Sequence, residues 1–191
     1  MISTVLFLIC VFSGCVSIDT YLVYDDNATI EKSYPEGVRD DLNAFFDSIH
    51  SPVDFAKYLD NGDNFRYDYK YRWLALHGKI PFKKGQLPHR RPEYLWVVKR
   101  GVCTETANFA SIWLSRNGYE NKLLWFTNDY GRTHTVCVFK YKNNDPNWYI
   151  LGDTRKPVEI QGPFHNFNEV ENRLFLQGAN LRIIRIPKYG Y

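Results

Sequence analysis

Cys103, His134 and Asp153 are the residues whose types and order could carry covalent chemistry. Cys103 follows Gly101-Val102 and precedes Thr104-Glu105-Thr106-Ala107. Cys103, Ala107, Ala110 and Leu114 recur at helical spacing, and Asn117-Gly118 supplies a stop, so the thiol is predicted in the first turn of a helix in line with its buried face. There the unpaired backbone N–H groups and the helix dipole favour thiolate over thiol. A thiolate that attacks an amide also needs a His to hold the ion pair and protonate the departing amine, and a third group to orient that imidazole. His134 begins a predicted strand running to Tyr141, and Asp153 closes the next, Trp148 to Leu151 followed by Gly152-Asp153.

Each of the three has an ordinary explanation when taken alone. A Cys at a helix start is commonly a small core residue, a strand His is commonly satisfied by its neighbours, and Asp after Gly commonly ends a strand as a turn former. Their order on helix, strand and next strand is what makes them specific. A two-residue turn at Asn143-Asn144 puts His134 directly opposite Asp153 on one face of the hairpin. Pro146 cannot donate to the ladder; a turn lengthened to span Asn143 through Asn147 moves the pair off register, and a bulge restores it. By alternation, a His134 that faces Cys103 sends Cys137 to the other face of the sheet, which argues against a Cys103–Cys137 disulfide and makes Cys137 a small core residue.

The elements that must position these groups are legible in outline. A strand is expected at Thr20 to Tyr24 and a helix from about Pro35 to His50, with Val38, Leu42, Phe45, Phe46 and Ile49 on one stripe. Ser51-Pro52 opens a second helix, and Phe65 to His77 reads as a third. Lys79 to Pro92 is basic and broken by Pro81, Gly85, Pro88 and Pro92, the pattern of a surface loop. Strands at Lys122 to Phe126 and Leu181 to Ile186, and a helix at Asn168 to Gln177, complete an α+β layout: N-terminal helices, with the nucleophile at a helix N-terminus, packed on an antiparallel sheet.

Composition agrees with one globular domain over residues 20–191. Of 191 residues, 45% are hydrophobic and 24% charged, enough to bury a core. The net charge of +3 is spread without a long basic run, so a nucleic-acid partner has no support. The four cysteines contain no CxxC, and Asp25-Asp26-Asn27 and Asp60-Asn61-Gly62-Asp63 lack EF-hand spacing, so neither a metal nor another cofactor is expected. The 17% aromatic content suits a dense aromatic core or a groove for peptide or glycan.

Residues 1–14 read as a signal peptide. The apolar run Val5 to Phe12 is far short of the ~20 residues that span a bilayer. It ends in Phe12-Ser13-Gly14-Cys15, which resembles a bacterial lipobox whose Cys is lipidated and becomes the mature N-terminus. No Lys or Arg precedes the run, and Phe12 stands where Leu is usual; ordinary signal cleavage nearby is the alternative. The expectation is an exported, envelope protein held to the membrane through lipid on Cys15, with Cys10 lost and Cys103 and Cys137 left as thiols.

The block Lys99-Arg100-Gly101-Val102-Cys103-Thr104-Glu105-Thr106-Ala107, with Leu114 and Gly118-Tyr119, then Thr133-His134-Thr135-Val136 and Trp148 to Thr154, resembles the transglutaminase-like superfamily of papain-like thiol enzymes. The likeness covers roughly a third of the chain. It implies a papain-like core, Cys103 as nucleophile, His134 as general base and acid, and Asp153 as orienter. The chain departs from the family at Val136, where an aromatic is frequent, and at Asp153-Thr154-Arg155, where Asp-Pro-Thr is usual. The implied reaction cleaves a peptide or isopeptide bond through an acyl-thioester; the same groups would support protein-glutamine transamidation. A noncatalytic envelope module that binds glycan or protein through an aromatic cleft is the alternative of a different class. The oxyanion needs two donors. The Cys103 backbone N–H is one; Trp96 is the candidate for the other, since related thiol enzymes place a donor side chain shortly before the nucleophile, with Gln86 as rival and core packing as the ordinary role of Trp96.

Overall fold

The computed structural model describes residues 21–24, 36–62, 64–80, 86–127, 133–152, 158–174 and 180–184. The predicted Cys103 helix is its centre. This helix, α5 (Cys103–Arg116), is numbered after β1 (Tyr21–Tyr24), α1 (Val38–Ser48), α2 (Pro52–Asp60), β2 (Arg66–Tyr67), α3 (Tyr69–Leu76), β3 (Gln86–His89), α4 (Pro92–Val98) and β4 (Arg100–Gly101). Then come β5 (Asn121–Thr127), β6 (Thr133–Phe139), β7 (Trp148–Leu151), β8 (Gln161–Phe164), α6 (Phe167–Arg173) and β9 (Asn180–Ile184). The five strands from β5 onward form one antiparallel sheet in the order β8-β7-β6-β5-β9.

Period-two alternation gives this sheet two apolar faces, and both are covered. Leu123, Cys137, Phe139 and Leu151 pack on Ala107, Ala110, Trp113 and Leu114 of α5. Leu124, Phe126, Val136, Val138 and Ile150 pack on Val170 and Leu174, at α6 and its C-terminal end. The α1 stripe buries Val38, Leu42 and Phe46, and α2 buries Phe55, Ala56 and Leu59. Much of the aromatic excess is spent here: Phe45, Phe46 and Phe55 pack around Phe109, Phe55 stacks on Trp113, and the Trp113 indole N–H donates to the Phe46 carbonyl at 3.1 Å. Ser51 caps α2 as its sequence predicts, its hydroxyl accepting from the Asp54 N–H.

Several elements depart from expectation. Phe65 to His77 is not one helix. Arg66 and Tyr67 pair in parallel with Arg100 and Gly101, the Arg66 N–H donating to the Lys99 carbonyl at 2.8 Å and the Asp68 N–H to the Gly101 carbonyl at 3.0 Å. Asp68 then caps α3, accepting from the Tyr71 N–H at 3.0 Å. The expected loop over Lys79 to Pro92 contains β3, parallel to β1, and Pro92 opens α4 instead of breaking the chain. Gln161-Gly162-Pro163-Phe164 forms a strand despite its Gly-Pro, because it lies at the edge of the sheet, where a missing donor is tolerated.

The β6–β7 register also differs. Cys137 faces Leu151, Val138 faces Ile150 and Phe139 faces Tyr149, one residue away from the register that pairs His134 with Asp153. The connection between the strands is longer than either expected turn. It is organised by Asp145, whose carboxylate accepts from the Asn147 N–H at 2.9 Å and the Tyr149 hydroxyl at 2.7 Å.

Candidate active site

The first turn of α5 is buried among polar partners. Cys103 is its first residue and 8% exposed. Glu105, two residues on, turns back to accept from the Val102 N–H at 2.8 Å, satisfying one of the donors that a helix start leaves unpaired. Its carboxylate is held by Arg90, whose Nε and Nη2 each donate at 2.7 Å, as does the Arg90 backbone N–H. The Arg90 Nη1 donates to Asp68 at 2.7 Å, and its guanidinium lies between the rings of Tyr71 and Tyr94, 3.8 and 4.1 Å from their centroids. Arg90 thus ties the start of α3 to the start of α5. It also neutralises Glu105, a negative charge that would otherwise oppose a thiolate beside it.

Gly101 serves this network. A Cβ there would lie 3.2 Å from Glu105 Oε2 and 3.2 Å from the Leu95 side chain, so the missing side chain makes room for the buried carboxylate.

The Cys103 thiol lies beside His134, Thr135 and Tyr67, within the field of Arg72. Burial alone pushes it up; the hydrogen bond and charge of the His134 imidazole, the Thr135 backbone N–H and the Arg72 charge outweigh burial and hold it below the usual thiol range. The Tyr67 phenol lies beside Cys103, and the Arg72 Nη1 donates to the Tyr67 oxygen at 2.9 Å. Burial first, and then the adjacent Cys103, push the Tyr67 phenol up to about 12. Helix and strand are pinned together beside the thiol by the buried hydroxyls of Thr104 and Thr135, 3.1 Å apart.

Of the residues singled out from sequence, Cys103 and His134 are brought together. Asp153 and Cys15 lie outside the described residues. Gly152, immediately before Asp153, is in the left-handed region at φ +80, and a Cβ on it would sit 3.0 Å from the Ala110 Cβ and 3.2 Å from the Thr106 carbonyl. Only a glycine passes so close to α5 in that conformation, and the contact lies within about two helical turns of Cys103. Trp96 is in α4, stacked on Phe45 at 4.6 Å with the Lys99 amine 3.3 Å from its ring centroid. Its surroundings are those of the ordinary packing role. Gln86 opens β3, opposite Tyr21.

Cys137 is fully buried beside Ser111, its thiol directed at the Val138 carbonyl at 3.9 Å, and pushed up by burial. It is on the face that packs against α5, contrary to the alternation argument. Alternation assigns faces along a regular strand, but His134 is one residue inside the end of β6, partly exposed, and reaches the helix start from there. Ser111 is two turns along α5 from Cys103, about 12 Å at the helical rise, beyond disulfide reach. Both thiols are free.

Tyr67, Arg72, Arg90 and Glu105 went unrecognised in the sequence. Glu105 alone carried a signal, an acidic residue at the third position of a helix. Tyr67 reaches Cys103 only because the two-residue strand β2 pairs with β4, just before the thiol.

Among the described residues no three His, Cys, Asp or Glu side chains group to hold a metal ion, and no helix is long and apolar enough to cross a membrane. No protein-family profile matches the chain, and no curated protein matches it. Solved structures do. The chain is similar to one described as a TGase, at 12% identity and a TM-score of 0.45, over 81% of this chain and 42% of that one. It is also similar to Legionella pneumophila LapG, at 14% identity and a TM-score of 0.45, over 86% of this chain and 83% of that one. An EGTA-treated form of LapG matches at the same identity and TM-score.

Proposed function

We propose that this protein is a thiol enzyme that cleaves an amide bond, peptide or isopeptide, through an acyl-thioester. The observation that carries the proposal is the placement of Cys103 at the start of α5 beside His134 of β6, two elements pinned together there by the Thr104–Thr135 hydroxyl pair at 3.1 Å, where the imidazole helps hold the thiol below its usual range despite burial. A noncatalytic binding cleft gains nothing from an acidified thiol, and maintaining one in the interior works against its desolvation.

The Cys103 thiolate attacks the carbonyl carbon, and the electron pair of the C=O moves to oxygen. Collapse of that intermediate breaks the C–N bond as imidazolium His134 gives its proton to the leaving nitrogen, which leaves an acyl-thioester and a neutral imidazole. Water, losing a proton to His134, then attacks the thioester, releasing a carboxylic acid and restoring the thiolate–imidazolium pair. Asp153 is assigned the orienting role. In support, Gly152 brings the chain against α5 immediately before it. Residues 20–191 act as one catalytic domain, exported by the signal in residues 1–14 and held at the envelope by lipid on Cys15, where the substrate is a protein or peptide; the apolar run and Gly14-Cys15 support this part.

A glutamine-containing peptide supplied with and without a labelled primary amine tests the reaction. Release of ammonia or a peptide fragment that disappears in Cys103→Ala is expected. Label incorporation exceeding hydrolysis would replace hydrolysis by transamidation, and no Cys103-dependent turnover of any peptide or isopeptide offered would count for the binding module.

A further inference from the structure

Tyr67 and Arg72 have no part in the reaction as written, yet Tyr67 lies beside its nucleophile and Arg72 bonds Tyr67. An arginine side chain only donates hydrogen bonds. Arg72 Nη1 therefore occupies a lone pair of the Tyr67 oxygen, at 2.9 Å. The phenol proton is left free to point away from Arg72, and the β2–β4 pairing of Tyr67 with Gly101, two residues before Cys103, sets the thiol beside it. The orientation of that O–H is thus set by the order of the chain Arg72, Tyr67, Cys103. The backbone fixes the phenol as well: Tyr67 pairs with Gly101, and the flanking Asp68 N–H bonds the Gly101 carbonyl. Its ring rests 4.9 Å from that of Tyr69.

We propose that Tyr67 is the second oxyanion donor, a catalytic residue that passes its hydrogen bond from the Cys103 sulfur to the substrate carbonyl oxygen as charge moves there, and that Arg72 is the residue that positions it. The proposal rests on the thiol-enzyme reading. In the resting site the negative charge is on sulfur, and the phenol stabilises it. When the S–C bond forms, the charge moves to the carbonyl oxygen, bonded to the carbon now attached to sulfur and so close to the same donor. The first-turn N–H of Cys103 has no acceptor within the helix and supplies the other bond. The phenol remains protonated throughout, because burial and the neighbouring thiolate both oppose its ionisation.

Two probes separate donation to an oxyanion from support of the thiolate. p-Nitrophenyl acetate acylates a thiolate through a tetrahedral oxyanion, whereas iodoacetamide alkylates it by displacement at carbon without one. Tyr67→Phe keeps the ring and removes the donor. With rates taken on the high-pH plateau, where Cys103 is fully ionised, and modification located by peptide mass spectrometry, Tyr67→Phe is expected to slow acylation about 100-fold and leave alkylation within about threefold. Arg72→Gln is expected to move the midpoint of the alkylation profile to higher pH and to slow acylation less than Tyr67→Phe, with little further loss in the double variant, since both act through one hydroxyl. Unchanged acylation in Tyr67→Phe, or an equal fall with both probes, overturns the proposal. A wild-type Cys103 that reacts with iodoacetamide no faster than an ordinary thiol overturns the enzyme reading beneath it.

Discussion

Arg90 grips Glu105 with three N–H groups, each at 2.7 Å, two residues along α5 from Cys103. Their side chains are 3% and 0% exposed, so neither charge can fall back on water if the other is removed. Arg90→Met should cost about 3–5 kcal/mol, the range for one partner of a buried pair. Glu105→Gln should cost less, because Arg90 keeps Asp68, and combining the two should recover part of the loss. Urea unfolding of the three variants measures this. The stranded Glu105 charge should also raise the Cys103 pKa in Arg90→Met, which pH-dependent alkylation reads separately.

The third member of that cluster gives the acid limb. Burial pushes the Asp68 carboxyl up, but the Tyr71 N–H, the bond and charge of Arg90 and the charge of Arg100 hold it below the usual range. A carboxyl depressed by folding contributes stability in full above its unfolded value near 3.9, and loses it as pH falls through the folded value. Thermal unfolding should show stability declining below about pH 4. Asp68→Asn should be less stable at pH 7 and flatter across the acid range.

Thr104 and Thr135 have only small exposed fractions, and their hydroxyls, 3.1 Å apart, satisfy one another between α5 and β6. Thr104→Val should cost about 1–3 kcal/mol because it strands the Thr135 hydroxyl. The double Thr104→Val, Thr135→Val variant should be more stable than the worse of the singles. Denaturant midpoints at constant m decide this.

Gly152→Ala should destabilise the fold by about 1–3 kcal/mol, since φ is +80 and the added methyl would meet Ala110 and the Thr106 carbonyl. Gly118→Ala is the control. Its φ is +72, but the nearest atom to a Cβ there is the Lys142 amine at 4.0 Å, so it carries the conformational cost without the collision. The difference between the two unfolding free energies isolates the close approach to α5.

How far the sequence revealed this site depended on whether the signal was local. α5 was legible because apolar spacing, a Gly stop and a polar first turn all agree, and α2 because Ser51-Pro52 is a self-contained start. β6 and β7 showed as β-branched and aromatic runs on either side of turn residues, but their register slipped by one because Asp145 builds a longer connection than the turn residues alone suggest. α4 and β3 were hidden by Pro and basic residues, which have the same composition in a loop, at a helix start or in a short strand. β2 is two residues long and exists only through its partner β4, so no local pattern could announce it or the Tyr67 it delivers. Trp96 shows the converse. It is close to Cys103 in sequence, but it is carried on α4 and its ring packs on Phe45.

The pH profile of alkylation tests the Cys103–His134 pair most directly. Native protein treated with iodoacetamide across pH 5–10, with each cysteine followed by peptide mass spectrometry, should show Cys103 reacting with a midpoint clearly below the ~8.5 of a free thiol, while buried Cys137 stays unmodified until the protein is unfolded. His134→Ala should move the Cys103 midpoint upward. A Cys103 midpoint at or above that of a free thiol, or one indifferent to His134→Ala, would contradict the account.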